Sequence, residues 1–184
     1  PDGQRMYIRS LFFILYAAVR ELYPQARLKI DHAISRGYYC EIEGLGIEFS
    51  DTCVHDIKTL MHDIVATDFP FERKGKQLST VLTEYAESNF VDKVRLYSDS
   101  GLLYAYVYYL NKHVNYFHGH LLPSTGFVEN FDLEQFNGGM LLRLPSNKKF
   151  SRLRDYVHQE KLFGIFREYK EWANILNMSD IGKL

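Results

Sequence analysis

Cysteine, tryptophan and net charge are all scarce in this sequence of 184 residues. The two cysteines, Cys40 and Cys53, form neither a Cys-x-x-Cys pair nor a framework of close spacings, which predicts reduced thiols in a cytoplasmic protein. With 22 Lys and Arg against 23 Asp and Glu, the chain lacks the overall positive field that holds a polyanion. We therefore do not expect RNA or DNA to bind strongly without specific contacts.

The sequence also lacks an apolar run long enough to cross a bilayer. The longest such run, residues 11–19, contains Tyr16 and gives way to Arg20 and Glu21. The first residues include neither an initiator Met nor a charged and then apolar leader, which argues against a secretory signal. We expect a segment of a longer cytoplasmic protein with no membrane partner, and the sequence makes no prediction of oligomeric state.

Aromatic residues, in contrast, are abundant, with 14 Tyr and 13 Phe, as is typical of chains that build pleated sheets. Apolar residues at spacings of three and four predict a first helix ending before Pro24, and a second that is capped at Ser50-Asp51 and ends near Phe69. A shorter third helix is predicted next. Its cap would be Ser79 or Thr80, and its inward face Val81, Leu82, Tyr85 and Ala86.

Period-two alternation predicts antiparallel strands between and after these helices. Residues 28–30 and 38–43 flank the turn at positions 35–37, and residues 131–136 and 140–144 flank the glycine-rich turn at 137–139, so each pair is typical of a hairpin. Two further strands are predicted at 102–110 and 116–122. Because helices and strands alternate without a regular βαβ rhythm, we predict an α+β fold, an antiparallel sheet with packed helices.

The last part of the chain returns to helical spacing of apolar residues. The best candidate boundary is Asn147-Lys148-Lys149. The sequence therefore predicts an α+β domain over residues 1–150 and a helical extension over residues 151–184.

A complete catalytic centre cannot be assembled from the residues. There is no Gly-x-x-x-x-Gly-Lys-Ser/Thr phosphate loop and no Gly-x-Ser-x-Gly nucleophile turn. The densest group of possible metal ligands is His113, His118 and His120, of which the last two would share one face of the strand predicted at 116–122. Solvated or hydrogen-bonded histidines are the more economical interpretation of this group.

Two strings, residues 21–30 (ELYPQARLKI) and 34–39 (ISRGYY), resemble the second N-terminal, editing-type domain of threonyl-tRNA synthetase. The order of later features agrees: a long helix around residues 57–65, a Lys-Val pair at Lys93, and Gly-x-x-x-Pro at 119–123. The resemblance covers roughly residues 5–150. It implies the same α+β fold for this part of the chain.

In that family, a His-x-x-x-His on the first helix and a late Cys-x-x-x-His form a metal site that removes wrongly attached serine. The resemblance places these four ligands at Arg9, Phe13, Phe117 and Leu121. An arginine and three apolar side chains cannot coordinate a metal ion, so we expect neither the metal nor the hydrolysis. The resemblance instead implies a retained cleft that serves as a ligand- or partner-binding site. Its candidate residues are Arg9, Tyr38, Tyr39, Lys93, Asn115, His118, His120 and Arg143.

Five short segments also resemble the middle portion of bacterial uridine kinase-like proteins: residues 6–13, 37–41, 107–110, 123–126 and 139–143. There, a degenerate synthetase-like domain precedes a P-loop nucleoside kinase domain. This resemblance implies a non-catalytic accessory domain whose partner is a C-terminal kinase domain of the same parent chain. It implies no cofactor for these residues, with ATP and magnesium expected only at the kinase domain.

Two alternatives remain at this point. A repurposed hydrolase could use His113, His118 and His120 in place of the lost site. An RNA-binding module inherited from the synthetase could use a set of basic residues without an aromatic RNA-recognition signature. Those residues would be Arg9, Arg36, Arg73, Lys74 and Lys76.

Overall fold

The computed structural model describes residues 2–87, 91–98, 101–146 and 152–155, together with residues 164, 165, 168 and 172. In chain order, the elements are α1 (Asp2–Leu22), β1 (Arg27–Ile34), β2 (Gly37–Glu43), α2 (Asp51–Thr67), β3 (Glu72–Gln77), α3 (Leu78–Glu87), α4 (Val91–Ser98), β4 (Tyr104–Leu110), β5 (His113–Asn115), a 3-10 turn (Thr125–Phe127), β6 (Asp132–Phe136) and β7 (Gly139–Arg143). All paired strands are antiparallel, which confirms the predicted α+β fold. Among the described helices, none combines the length and apolar character needed to cross a bilayer.

The larger sheet has four strands in the order β1-β2-β7-β6 and is built from the two predicted hairpins. The first hairpin turns at Ser35 and Arg36, with φ of 50° and 60°, and the second at Asn137 and Gly138, with φ of 46° and 80°. Two successive left-handed residues are what a two-residue hairpin turn requires. The hairpins join through β2 and β7, where Tyr38 lies opposite Leu142.

Helix α1 runs through the centre of the molecule, which explains why its apolar residues occur on more than one face. Leu11 and Leu15 are completely buried, and α2 packs beside α1 through Ile57 and Met61. One face of the larger sheet completes this core with Cys40, Met140 and Leu142. Cys40 and Cys53 are both free and buried thiols.

A second, three-stranded sheet in the order β3-β4-β5 carries its own small core. Val81 and Tyr85 of α3 and Tyr97 of α4 pack on Ala105 and Val107 of β4. The opposite face of β4 is divided: Tyr104 and Tyr106 are exposed, whereas Tyr108 is buried against the main core. This small sheet therefore brings the chain following β5 back towards α1.

The strand predicted at residues 116–122 is wrong, because β5 ends at Asn115 and residues 116–122 are irregular. Its polar backbone groups are bonded to side chains instead of to another strand. The amide of Leu122 donates to Ser10 Oγ at 2.9 Å, and the Tyr108 hydroxyl donates to the Gly119 carbonyl at 3.1 Å. Tertiary contacts have replaced the ladder that the alternating pattern predicted.

Smaller differences concern the helix starts. Helix α3 begins at Leu78, so the predicted caps Ser79 and Thr80 lie inside its first turn, and Ala86 is exposed, not inward-facing. Ser50 does occupy the N-cap position of α2 with extended backbone, but its side chain makes no capping hydrogen bond. The hydroxyl lies 3.5 Å from Cys53 Sγ instead.

Strand β3 and helix α4 were not predicted. The boundary predicted at residues 147–149 and most of the extension over 151–184 lie outside the described residues. The two-part division of the chain therefore stays a prediction.

Candidate functional site

The four positions that the resemblance assigns to metal ligands converge in space. Arg9 and Phe13 lie one turn apart on α1, and Phe117 and Leu121 lie on the segment that follows β5. The rings of Phe13 and Phe117 are 5.3 Å apart, and Leu121, at 6% exposure, packs in the same core. The two halves of the predicted site thus pack against each other where α1 meets this segment, and we call the surface over this contact, with Arg9 at its edge, the cleft.

The floor of this cleft is apolar. Phe13 has no exposed surface, and its ring stacks on Phe71 with centroids 5.9 Å apart. Phe117 is also edge-on to Tyr108 at 6.4 Å. These rings pack as hydrocarbon and offer no lone pair to a metal ion.

Arg9 supplies the only charge among those four positions. Its side chain is partly buried, and its Nη1 donates to the carbonyl oxygen of His120 at a long distance of 3.5 Å. The guanidinium lies against Gly119, whose missing side chain makes room for it. Within the described parts of the chain, no carboxylate forms an ion pair with Arg9. Its remaining N–H donors can therefore bind an anionic group of a ligand.

The segment opposite Arg9 is held rigidly from both sides. Ser10, the residue after Arg9, is buried and accepts the Leu122 amide, while Tyr108 reaches across from β4 to the Gly119 carbonyl. Ser10 and Tyr108 were not among the predicted site residues, and Gly119 was named only as the first residue of the Gly-x-x-x-Pro feature. Gly119 has a φ of +111°, a backbone conformation that favours glycine. This conformation is seen in the structure and cannot be read from the sequence.

Tyr38 and Tyr39 lie on opposite faces of β2, as successive strand residues must. Tyr38 faces the cleft side, where its ring meets Phe12 of α1 edge-on at 4.8 Å. Tyr39 is 4% exposed on the other face, and its hydroxyl donates to the Asn137 carbonyl at 3.2 Å. Of this pair, only Tyr38 is positioned on the side of Arg9.

Asn115 is placed on the cleft side of the small sheet. It lies opposite Tyr108 in the β4–β5 ladder, so both residues project from the same face. It is 8% exposed, and its Oδ1 accepts the Tyr116 amide at 2.8 Å. Lys93 lies in α4, which packs beside α3.

Arg143, predicted to line the same cleft as Arg9, does not lie beside it. It neighbours Leu142, whose side chain enters the main core, and therefore projects from the opposite face of β7. There it donates to Glu134 at 2.6 Å and to the Arg154 carbonyl at 3.0 Å. These contacts give Arg143 a structural role that joins β7 to the chain after it.

The three histidines do not form one centre. His118 and His120 are exposed, whereas His113 is largely buried, with its Nε2 3.3 Å from Glu21 at the end of α1. Burial lowers the pKa of His113 below its ordinary value, and Glu21 offsets this in part. In the portion of the chain that the structure describes, no three His, Cys, Asp or Glu residues are grouped as metal ligands would be. The hydrolase alternative is therefore not favoured.

The basic residues of the RNA alternative are dispersed. On β3, Lys74 pairs with Glu72 at 2.5 Å, Lys76 pairs with Glu84, and Arg73 lies 3.8 Å over the ring of Tyr106. Adjacent strand positions face opposite ways, so these three side chains do not share one face. Arg36 lies at the turn of the first hairpin in the other sheet, and Arg9 lies on α1. They form no single basic patch, and this alternative is not favoured either.

No family model matches the chain. It is similar to threonine-tRNA ligases, with 27% identity over 154 residues in Carboxydothermus hydrogenoformans, 26% over 155 residues in Desulforamulus reducens and 23% over 154 residues in Xanthomonas euvesicatoria. Each match covers 83% of this chain and 24% of the relative. The chain thus spans about a quarter of the length of these curated relatives. Over that span it is similar to a threonyl-tRNA synthetase-type domain.

Proposed function

We propose that the chain is a catalytically silent form of the threonyl-tRNA synthetase editing-type domain that has kept its cleft as a ligand-binding site. In the parent protein, it would act as the accessory domain of an ATP-dependent uridine or nucleoside kinase. The observation that carries the silent assignment is the identity of the four facing residues. Arg9, Phe13, Phe117 and Leu121 hold the positions of the ligands and offer a cation and three hydrocarbon groups.

The chemistry of these groups supports the loss of metal-dependent hydrolysis. A zinc centre needs imidazole, thiolate or carboxylate donors at about 2.0–2.3 Å. Phe13 and Phe117 occupy the volume between the two segments with rings in contact. A guanidinium at position 9 would in addition repel a divalent cation.

The same guanidinium supports binding of an anionic ligand. Arg9 has planar N–H donors on a partly exposed side chain, and the described chain supplies it only with the His120 carbonyl. Exposed imidazoles of His118 and His120 and the ring of Tyr38 lie on the segments around it. This combination fits a ligand that carries a carboxylate or phosphate beside an apolar or aromatic part.

The kinase context is supported by the resemblance of five segments to uridine kinase-like proteins. On this proposal, ATP and magnesium belong to the kinase domain, and the accessory domain binds a uridine nucleotide through the phosphate group. No cofactor is proposed for the residues of this chain.

The silent assignment is tested by measuring hydrolysis of serine-charged tRNA with and without added zinc. We expect no rate above the uncatalysed background under either condition. A threonyl-tRNA synthetase with an intact His-x-x-x-His and Cys-x-x-x-His pattern serves as the positive control. Zinc-dependent deacylation by this chain at the rate of that control would contradict the proposal.

The ligand site is tested by calorimetric titration with uridine 5′-monophosphate and uridine. We expect the monophosphate to bind more tightly, and Arg9→Gln to remove most of that difference, since the charged donors are lost. Arg5→Gln is the matched control, because Arg5 is exposed one turn earlier on α1. Equal affinity for the two compounds, or an Arg9→Gln variant that still distinguishes them, would show that Arg9 does not bind the phosphate group.

A further inference from the structure

A separate cavity of about 220 Å³ opens between the last turns of α1 and α2. Glu21 at its rim is twelve residues beyond Arg9 on α1, about 18 Å along the helix axis. The cavity is therefore distinct from the cleft. Its walls are apolar and come from both helices and from the end of β4: Ala17, Leu60, Ile64 and Leu110.

Two carboxylates lie at the rim of this cavity, Glu21 from α1 and Asp63 from α2. The Lys112 ammonium bridges both oxygens of Glu21, at 2.9 Å from Oε1 and 2.7 Å from Oε2. Burial lowers the pKa of His113 beside them, which favours the neutral imidazole. Asp63 has no ion pair among the residues described, and the negative charge of the rim is therefore concentrated there.

The ends of the two helices add to this negative potential. Helix α1 ends at Leu22 and α2 at Thr67, so the cavity is lined by the last turns of both. The C-terminal end of a helix carries a partial negative charge, which favours cations. Arg20 lies in the last turn of α1 and compensates for part of this charge, whereas α2 has no basic residue in its last turn.

We propose that this cavity binds a small organic cation, an amine with an apolar body. The body packs on Ala17, Leu60 and Leu110, and the ammonium group lies at the rim beside Asp63. The volume of the cavity limits the size of the ligand, because pockets for drug-sized ligands measure roughly 300–1,000 Å³ and this cavity is smaller. A single-ring amine fits, and a nucleotide does not.

The probes that test this site are phenethylamine and 3-phenylpropionate, which have similar apolar bodies and opposite charges. The chain is titrated with each at low ionic strength, following amide chemical shifts of α1 and α2. We expect saturable shifts around Ala17 and Ile64 with the amine and none with the acid. No saturable binding, or equal binding of the two compounds, would overturn the proposal.

Two substitutions at the rim should change the affinity for phenethylamine in opposite directions. Asp63→Asn should weaken it about threefold to fivefold, the range of a partly exposed ion pair. Lys112→Ala should strengthen it, because the Glu21 carboxylate is released, and partial unfolding cannot produce such a gain. Asp56→Asn, an exposed carboxylate on α2 outside the cavity, should leave it unchanged. An unchanged affinity in Asp63→Asn, or a loss in Lys112→Ala, would refute the site.

Discussion

Arg9 and Gly119 fit together so closely that a Cβ atom at position 119 would lie 2.6 Å from Nη1 of Arg9. Gly119 also has φ of +111°, a conformation that side chains of L-residues rarely adopt. The next residue, His120, accepts the Arg9 guanidinium through its carbonyl. A side chain at position 119 would therefore require a strained backbone and a shift of the Arg9 guanidinium.

Gly119→Ala is therefore expected to destabilise the domain by about 1–3 kcal/mol, the cost of a strained backbone together with displacement of Arg9. The free energy of unfolding is measured by urea denaturation. The Arg9→Ala single variant and the double variant separate the two contributions. If the contact with Arg9 matters, Gly119→Ala should cost less in the Arg9→Ala background. The same loss of free energy of unfolding in both backgrounds would mean that the strained backbone at position 119 accounts for the whole effect.

Thr125 connects the end of α2 to the chain that enters β6. It is completely buried, and its Oγ1 accepts the Phe69 amide at 2.9 Å and donates to the Ile64 carbonyl at 2.8 Å. Thr125→Val keeps the shape but leaves both backbone groups without this partner, so we expect a loss of about 1–3 kcal/mol in the free energy of unfolding.

Thr125→Ser is the matched control for that variant. It keeps the hydroxyl and removes one methyl group, which costs on the order of 1 kcal/mol in a packed site. In urea denaturation, Thr125→Val should be the less stable of the two. Should Thr125→Ser prove less stable, packing of the methyl group and not the paired hydrogen bonds would account for the role of Thr125.

The pKa of His113 should respond to its two charged neighbours in opposite directions. Burial lowers it below 6.5, Glu21 raises it through a hydrogen bond and its charge, and Lys112 lowers it. Glu21→Gln should therefore lower the pKa of His113 further, and Lys112→Ala should raise it. Titration of the imidazole signals by NMR measures both. A pKa that does not respond to either substitution would mean that burial alone determines it.

The same group makes stability depend on pH. Because the folded pKa of His113 is depressed, the unfolded chain takes up the proton at higher pH than the folded chain. Its stabilising contribution is complete above pH 6.5 and is lost as the pH falls through the folded pKa. The free energy of unfolding of the wild type should therefore fall more steeply between pH 7 and 5 than that of His113→Gln. Parallel curves would contradict this linkage.

The fold was predictable where its determinants are local. The periodicity of α1 and the turn residues of both hairpins determine conformations within a few residues, and the structure has them as predicted. Strand β3 was not predictable, because its sequence ERKGKQ shows no apolar alternation. It is a strand because it pairs with β4, with Gly75 opposite Tyr106, and such pairing is tertiary information.

The candidate site shows the same division between local and tertiary information. The convergence of Arg9 and Phe13 with Phe117 followed from the family resemblance, and spacing alone would not have joined residues a hundred positions apart. The sequence analysis placed Tyr38 and Tyr39 together in the cleft, but adjacent strand residues face opposite sides, and the structure separates the two rings. The separation of Arg143 from Arg9 has the same cause, since Arg143 projects from the face of β7 opposite to the buried Leu142.

Introducing the four donors that the family resemblance implies provides the most direct test of this geometry. The variant Arg9→His, Phe13→His, Phe117→Cys and Leu121→His recreates the His-x-x-x-His and Cys-x-x-x-His pattern on the two facing segments. If these segments still have the backbone arrangement of a metal site, the variant should bind one zinc ion per chain in a calorimetric titration. The wild type should bind none at these positions, because none of its four side chains is a zinc ligand.

The stability of this variant should depend on zinc. Replacing the fully buried Phe13 and the largely buried Leu121 by imidazoles removes apolar packing, so the metal-free variant should unfold several kcal/mol more easily than the wild type. Zinc that binds only the folded state should recover part of this loss and raise the melting temperature in proportion to ln[Zn]. The variant that retains Phe117 and carries only the three histidines should bind more weakly, because it lacks the thiolate. Equal weak binding by both variants would show that Phe117 does not face the other three positions, and the assignment of the cleft would fail with it.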